Sequence, residues 1–346
     1  MYKKILRPIL FMMQPETIHH LVIGALKVAR YIPFAKSTMR LMFTAKDPSL
    51  EREVLGIKFS NPVGLAAGLD KNAEVYDMFG TMGFGFVEIG TVTPKGQPGN
   101  PKPRSFRLTK DKALINRMGI NNEGADQVIK HLRGRNPKLI IGGNIGKNTD
   151  TPNDQAAADY LRIFRSLYDY VDYFTVNVSC PNVTNLADLQ NKDNLVEILS
   201  GLREFRKGQT DYRPILIKIS PDLTQEQVDV MIDVTRECKI DGIVATNTTT
   251  SREGLTTDKK IVEKIGRGGL SGAPITKRSV DMVGYIARKT EGRLPIIGVG
   301  GIMTPQDAQN MLDAGASLVQ IYTGFIYNGP GFVKKICHEI KNNPTT

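Results

Sequence analysis

The chain has 346 residues, 40% of them hydrophobic, with 46 Lys+Arg against 35 Asp+Glu (net +11), three Cys and no Trp. That length suits two ordinary domains or one large barrel, and the apolar fraction excludes wholesale disorder. Cys180, Cys238 and Cys337 are too few and too widely spaced for a disulfide framework or a standard zinc pattern, so no metal site is expected; they suit a reducing compartment. The charge is uneven. Residues 1–46 carry eight basic side chains and one acid, Glu16, for +7, whereas the other 300 residues net only +4. The same 46 residues include 26 from the hydrophobic set. A nucleic-acid arm would be basic and polar; a basic, greasy segment argues against a nucleic-acid partner.

At the N-terminus, Ile5, Leu6, Ile9, Leu10 and Met13 recur at helical spacing until Pro15, and Ile18, Leu21, Val22, Ala25, Leu26 and Ala29 mark a second helical face. Neither run reaches the ~20 apolar residues of a membrane span. Arg7 and Pro8 break the first run and no small-residue cleavage site follows, which argues against a signal peptide. The expectation is an amphipathic helical hairpin over 1–46, joined to a second unit over 47–346. The hairpin either completes the core or lies in a bilayer interface; its basic flanks and five Met favour the interface.

Beyond residue 61, short apolar or β-branched runs alternate with helical patterns. Strands are expected at 62–67, 86–92, 139–145, 173–179, 214–220, 242–248, 295–301 and 318–324. Helical patterns fall between them, as at 226–237 and 276–288, with start signals at Ser220-Pro221-Asp222 and at Thr304-Pro305 with Asp307. Eight strands each followed by a helix predict an α/β fold, a (β/α)8 TIM barrel with an N-terminal helical hairpin; a doubly wound open sheet is the weaker alternative. The Pro- and Gly-rich stretch 96–117 reads as a hairpin or excursion near the barrel mouth.

Barrel chemistry sits where strands end. There the chain places Lys71, Thr91, Asn144, Asn177, Lys218, Thr246, Asn247, Thr248, Gly300, Gly301, Tyr322 and Thr323. Amides and amines converging on one rim suit a polar, planar ligand. Gly-rich ends on strands seven and eight suit a phosphate held by backbone N–H groups, and they lack the Gly-x-Gly-x-x-Gly spacing of a dinucleotide fingerprint. Cys180 directly follows strand four and is a candidate base or nucleophile, which Lys71 and Lys218 would favour as a thiolate. Cys238 and Cys337 fall on helices and read as inert core residues. No His lies near a strand end, so a Ser/His or Cys/His hydrolase is not expected.

Several motifs carry a family resemblance over about residues 5–335: Asn61-Pro-Val-Gly-Leu-Ala-Ala-Gly-Leu-Asp-Lys71, Gly90-Thr-Val-Thr-Pro94, Gly99-Asn-Pro-Lys-Pro-Arg104, Asn116-Arg-Met-Gly-Ile-Asn-Asn122, Asn177-Val-Ser-Cys-Pro-Asn182 and Gly268-Gly-Leu-Ser-Gly272. Through them the chain resembles the dihydroorotate dehydrogenases, FMN-dependent barrel enzymes of pyrimidine biosynthesis. Its N-terminal Gln14-Pro-Glu-Thr-Ile-His19 is similar to the extension of the class 2, membrane-associated, quinone-reducing branch.

The resemblance implies that Ala67, Gly68, Leu69, Asp70, Lys71, Thr91, Asn144, Asn177, Lys218, Thr246, Gly272, Gly301, Tyr322 and Thr323 hold FMN, with Lys218 stabilising charge on the reduced ring. It implies that Lys71, Asn116, Arg117, Met118, Gly119, Ile120, Asn177, Asn182, Asn247 and Thr248 hold dihydroorotate. Cys180 would be the base, and His19, Arg107 and Tyr322 would line a quinone path. Peripheral attachment to the cytoplasmic side of the cell membrane follows. One departure stands out: class 2 enzymes usually carry Ser where this chain has Cys180, the residue of soluble class 1 enzymes that use fumarate or NAD. The basic, apolar extension favours quinone. A tRNA-dihydrouridine synthase, also an FMN barrel, would spread positive charge over the mouth and add a C-terminal RNA-binding domain; here the charge is N-terminal.

Overall fold

A computed structural model describes residues 2–179 and 192–344. Eight strands close a barrel: β1 (Val63–Leu65), β2 (Phe86–Val92), β3 (Ile140–Ile145), β4 (Tyr173–Asn177), β5 (Ile215–Ile219), β6 (Gly242–Ala245), β7 (Ile296–Val299) and β8 (Leu318–Ile321). Neighbours pair in parallel in chain order, and β8 closes on β1 through Val319–Val63 and Ile321–Leu65. The expected barrel forms, and each strand falls inside its expected run. Strands such as β5 are buried at every position because helices cover the outside and side chains fill the inside.

The lower barrel is packed shut. Phe86, Tyr173, Leu216, Val244, Ile297 and Leu318 fill the interior. Below them the hairpin Arg52–Val54/Ile57–Phe59 pushes Phe59 edge-on against Phe86, ring centres 5.2 Å apart. Gly64 on β1 leaves room for that ring; a Cβ there would lie 2.3 Å from Phe86. With one end plugged, the open space lies at the C-terminal ends of the strands.

The stretch after β2 is the expected excursion. Strands Ser105–Leu108 and Ala113–Asn116 form a hairpin that Gly269–Gly272 extends into a three-stranded sheet, while Lys95–Gln97 pairs with Asn122–Gly124. Helices Gln225–Glu237, Thr276–Lys289 and Pro305–Asp313 match their patterns, and Thr304 with Asp307 forms a capping box. The start signal at Ser220-Pro221-Asp222 is displaced: the helix begins at Gln225 under a Thr224/Gln227 capping box, and the Ser220 hydroxyl accepts the Asp222 N–H (3.1 Å) in the preceding turn.

The N-terminal segment is more than a hairpin. A π-helical turn over Tyr2–Leu6 leads into α1 (Arg7–Phe11), then α2 (Pro15–Ala29) and α3 (Ala35–Phe43). Pro15 opens α2, where its missing N–H costs nothing. Ile23 is buried, and Leu26, Ala29, Met39 and Phe43 pack on the core. Arg30 grips Asp77 (Nε to Oδ2 3.0 Å), Lys36 reaches the same carboxylate at 2.8 Å, and Lys27 pairs with Glu74. The outward side stays apolar: Ile5, Ile9, Met12, Tyr31, Phe34 and Leu41 are exposed. No helix among the described residues is long and apolar enough to cross a membrane.

Candidate active site

A cavity of about 900 Å³ opens at the C-terminal ends of the strands and runs on beneath the N-terminal helices. It brings together nearly every residue expected at the site. Ala67, Gly68, Leu69, Asp70, Lys71, Thr91, Asn144, Asn177, Lys218, Thr246, Gly272, Gly301, Tyr322 and Thr323 line it, with Asn116, Met118, Gly119, Ile120, Asn247 and Thr248 on one side. His19 and Arg107 line the far end. Arg117 does not: its guanidinium donates to the carbonyls of Pro103 (3.1 Å), Arg267 (3.3 Å) and Ile265 and lies over the Phe106 ring. Its backbone holds its neighbours in place while its charge ties two loops together. Cys180 and Asn182 lie outside the described residues. Cys238 and Cys337 are buried as expected, and burial pushes the Cys337 thiol up to about 12.

The polar rim is a connected network. Asn177 Nδ2 donates to Thr91 Oγ1 (2.9 Å), and the Thr91 hydroxyl donates to Asn144 Oδ1. Asn247 Nδ2 donates to Asn177 Oδ1 (3.3 Å) and to Ser179 Oγ (3.1 Å). Asn144 Nδ2 in turn donates 2.8 Å to Glu88 Oε1. Glu88, with Gln320, is the part of the site that sequence reading missed. Both sit inside apolar strands, where a lone carboxylate and a lone amide are the signal that could have found them. Burial, and after it the adjacent Glu88 carboxylate, raises the Tyr173 phenol well above its ordinary pKa, so it stays a donor.

The turn after β1 is fixed from behind. The Asp70 carboxylate accepts the N–H groups of Glu74 (2.7 Å) and Val75 (2.9 Å), and burial raises it to about 6 despite those bonds. Next to it the Lys71 ammonium donates to Asn121 Oδ1. Gly68 in this turn has φ +104, and Tyr322, pushed up to about 12 by burial, donates to its carbonyl at 3.4 Å. At the glycine end, Thr276 Oγ1 donates to Gly301 O (2.6 Å), and a Cβ on Gly301 would meet Thr276 Cα at 2.3 Å. Only glycine permits that approach, which leaves backbone N–H groups at the rim.

On the helix side, Arg107 donates to the carbonyls of Met13 (2.6 Å) and Phe11 (3.1 Å) and lies 4.5 Å over the Phe11 ring. His19 is held neutral: burial first, then the Lys71 and His20 charges, lower it from 6.5 to about 4. Arg104 Nη2 donates 2.8 Å to Glu16 at the start of α2 and Nη1 donates to Pro98 O (2.6 Å) and Asn100 O (2.9 Å). Asn100 Nδ2 donates to Arg117 O (3.0 Å), which pins the 116–120 strip.

The donors fit a planar ring cofactor with an anionic tail. Lysines and amides line the mouth and would suit the ring, glycine backbone lines its other side and would suit the tail, and the buried Gln320 Oε1 has no hydrogen-bond partner among the described residues. Fold and site together define a barrel enzyme with its reaction centre at the strand ends. The family model for dihydroorotate dehydrogenase matches residues 49–343. A relative from Christiangramia forsetii named dihydroorotate dehydrogenase (quinone) is 52% identical, covering 98% of both chains, and one of the same name from Idiomarina loihiensis is 45% identical over 96% of this chain and 98% of its own. A DHODH crystal structure from Eimeria tenella in complex with ferulenol superposes with a TM-score of 0.85 at 37% identity, covering 95% of this chain and 91% of that one. The chain belongs to the dihydroorotate dehydrogenase family.

Proposed function

We propose that the chain oxidises (S)-dihydroorotate to orotate with FMN as cofactor and a membrane quinone as electron acceptor, the quinone-linked step of de novo pyrimidine biosynthesis. One observation carries this reading: a single cavity joins the amide- and lysine-lined barrel mouth to His19 and Arg107 beneath the N-terminal helices. A substrate site and an acceptor path on one cofactor need that continuity. FMN bound there supplies a hydride acceptor for the substrate and an electron donor for the quinone.

The chain's own residues orient and exchange protons. The turn 67–71, Thr91, Asn144, Asn177, Lys218, Thr246, Gly272, Gly301, Tyr322 and Thr323 hold the cofactor, with Lys218 facing the charge that reduction adds. Lys71, Asn116, Met118, Gly119, Ile120, Asn177, Asn182, Asn247 and Thr248 hold the anionic substrate ring. Cys180 Sγ takes the proton from the carbon next to the ring carbonyl; an ordinary thiol pKa of about 8.5 makes that easier than for a serine hydroxyl. His19, Arg107 and Tyr322 line the acceptor path. The exposed apolar side chains of residues 1–46 and their basic flanks rest on an anionic bilayer at the cytoplasmic side of the cell membrane.

Cys180 favours a second reading, a class 1-type enzyme that reduces fumarate or NAD. An acceptor screen with dihydroorotate as donor separates the two. Turnover with a ubiquinone or menaquinone analogue should exceed that with fumarate or NAD; equal or faster turnover with fumarate overturns the quinone assignment.

A further inference from the structure

We propose that Glu88 is a positioning residue that sets the hydrogen-bond polarity of the whole barrel mouth. The inference rests on the FMN reading above. Glu88 lies within β2, fully buried and behind the cavity lining. Its Oε1 accepts Asn144 Nδ2 at 2.8 Å, and its Oε2 accepts Gln320 Nε2 (2.7 Å), Tyr173 OH (3.1 Å) and Thr175 Oγ1 (3.1 Å). All four partners donate, and a carboxylate is the one side chain of this size that accepts without donating.

That asymmetry propagates. An amide is nearly symmetric in shape, so its direction is set by what it meets. Because Glu88 draws the nitrogen of Asn144, the oxygen of Asn144 faces Thr91 and takes its hydroxyl proton. The Thr91 oxygen is then free to accept Asn177 Nδ2, which leaves Asn177 Oδ1 to accept Asn247 Nδ2. Asn247 also reaches Ser179, the residue before Cys180. The relay crosses the mouth from β2 to the end of β6 in one direction, and at its far end the Thr248 N–H donates to Asn247 Oδ1 (2.8 Å) and holds that amide in the same sense. Glu88 draws the nitrogen of Gln320 in the same way, so Gln320 Oε1 stays an acceptor at the cavity wall, buried and available to a ring N–H.

The polarity is tested by removing it and then restoring it. Glu88→Gln keeps the shape but adds an amide nitrogen that meets only donors. Purified with FMN, it should bind the cofactor about tenfold more weakly or worse, shift the flavin absorbance bands, and raise the dihydroorotate KM by a similar factor, the effect of one or two lost charge-assisted hydrogen bonds. The double variant Glu88→Gln/Asn144→Asp lets residue 88 donate to a carboxylate whose second oxygen still accepts Thr91. It should bind FMN more tightly and show a lower dihydroorotate KM than either Glu88→Gln or Asn144→Asp alone, since Asn144 also lines the cofactor cavity and its replacement has a cost of its own. A role in packing alone predicts no recovery, and a double variant no better than the single ones overturns the proposal. Wild-type absorbance, affinity and KM in Glu88→Gln do so as well. Should Glu88→Gln fail to fold, Thr91→Val, which cuts the relay without touching the carboxylate, must reproduce the altered absorbance and raised KM; unchanged values overturn the proposal. Wild-type protein that binds no FMN at all refutes the cofactor reading instead.

Discussion

The barrel mouth and the N-terminal helices line the same cavity with opposite physics. The mouth is over-determined: its amides are linked through Thr91 back to a buried carboxylate, and at the other end the Thr248 N–H holds Asn247. The helices touch the barrel through an apolar seam around Ile23, a few ion pairs and hydrogen bonds to backbone carbonyls such as those from Arg107, Tyr2 and Arg7, and they present bare apolar surface outward. A site that holds one small polar ring needs the first design. A site that admits a long apolar acceptor, as proposed above, suits the second. A basic surplus that first suggests nucleic acid belongs to this second region.

Three changes test how separable the two regions are. The largest effect is expected from deleting residues 1–46. Quinone turnover and its dependence on detergent should be lost while dihydroorotate still bleaches the flavin in a stopped-flow experiment. Loss of bleaching as well would make the helices part of the mouth. A smaller effect is expected where the regions are bolted together. Glu16→Gln leaves Arg104 nearly buried (7% exposed) beside a neutral partner, at a cost of about 2–4 kcal/mol, seen as a lower Tm. Because Arg104 shapes the loop whose Asn100 holds the 116–120 strip, the same change should raise the dihydroorotate KM several-fold although residue 16 sits on the helix side. An unchanged KM would show that the bolt carries stability alone.

What the sequence shows and hides follows the same division. Parallel strands buried on both faces are continuous apolar runs, so all eight were legible, and the motifs at their ends located the cavity wall. Glu88 and Gln320 were hidden inside those runs, because periodicity marks burial and says nothing about which buried polar group is the acceptor. Arg117 belongs to a strip that lines the cavity, but only side-chain direction reveals that its charge points to the carbonyls of Ile265 and Arg267. α3 escaped notice because it is only nine residues long, although Ala35, Met39, Met42 and Phe43 recur at helical spacing and Met39 and Phe43 hold it to the core. Cys180, the most chemically specific reading from sequence, lies outside the described residues and is tested only by chemistry.

The finest test uses pH. His19 sits where the regions meet, and its folded pKa of about 4 lies below the 6.5 of an ordinary imidazole. Glu74 and Glu16 pull it upward, but burial, Lys71 and His20 win. A neutral imidazole can face an uncharged acceptor without a desolvated charge between them. The unfolded chain binds the proton first, so the stability His19 contributes is complete above pH 6.5 and is lost as pH falls towards 4. The shift is worth about 2 kcal/mol after discount for its partial exposure. Between pH 7.5 and 4.5 the wild-type Tm should therefore fall a few degrees further than that of His19→Gln, which has nothing to protonate there. Equal falls in the two proteins would place the pH sensitivity elsewhere and leave the contact between helices and mouth indifferent to charge at residue 19.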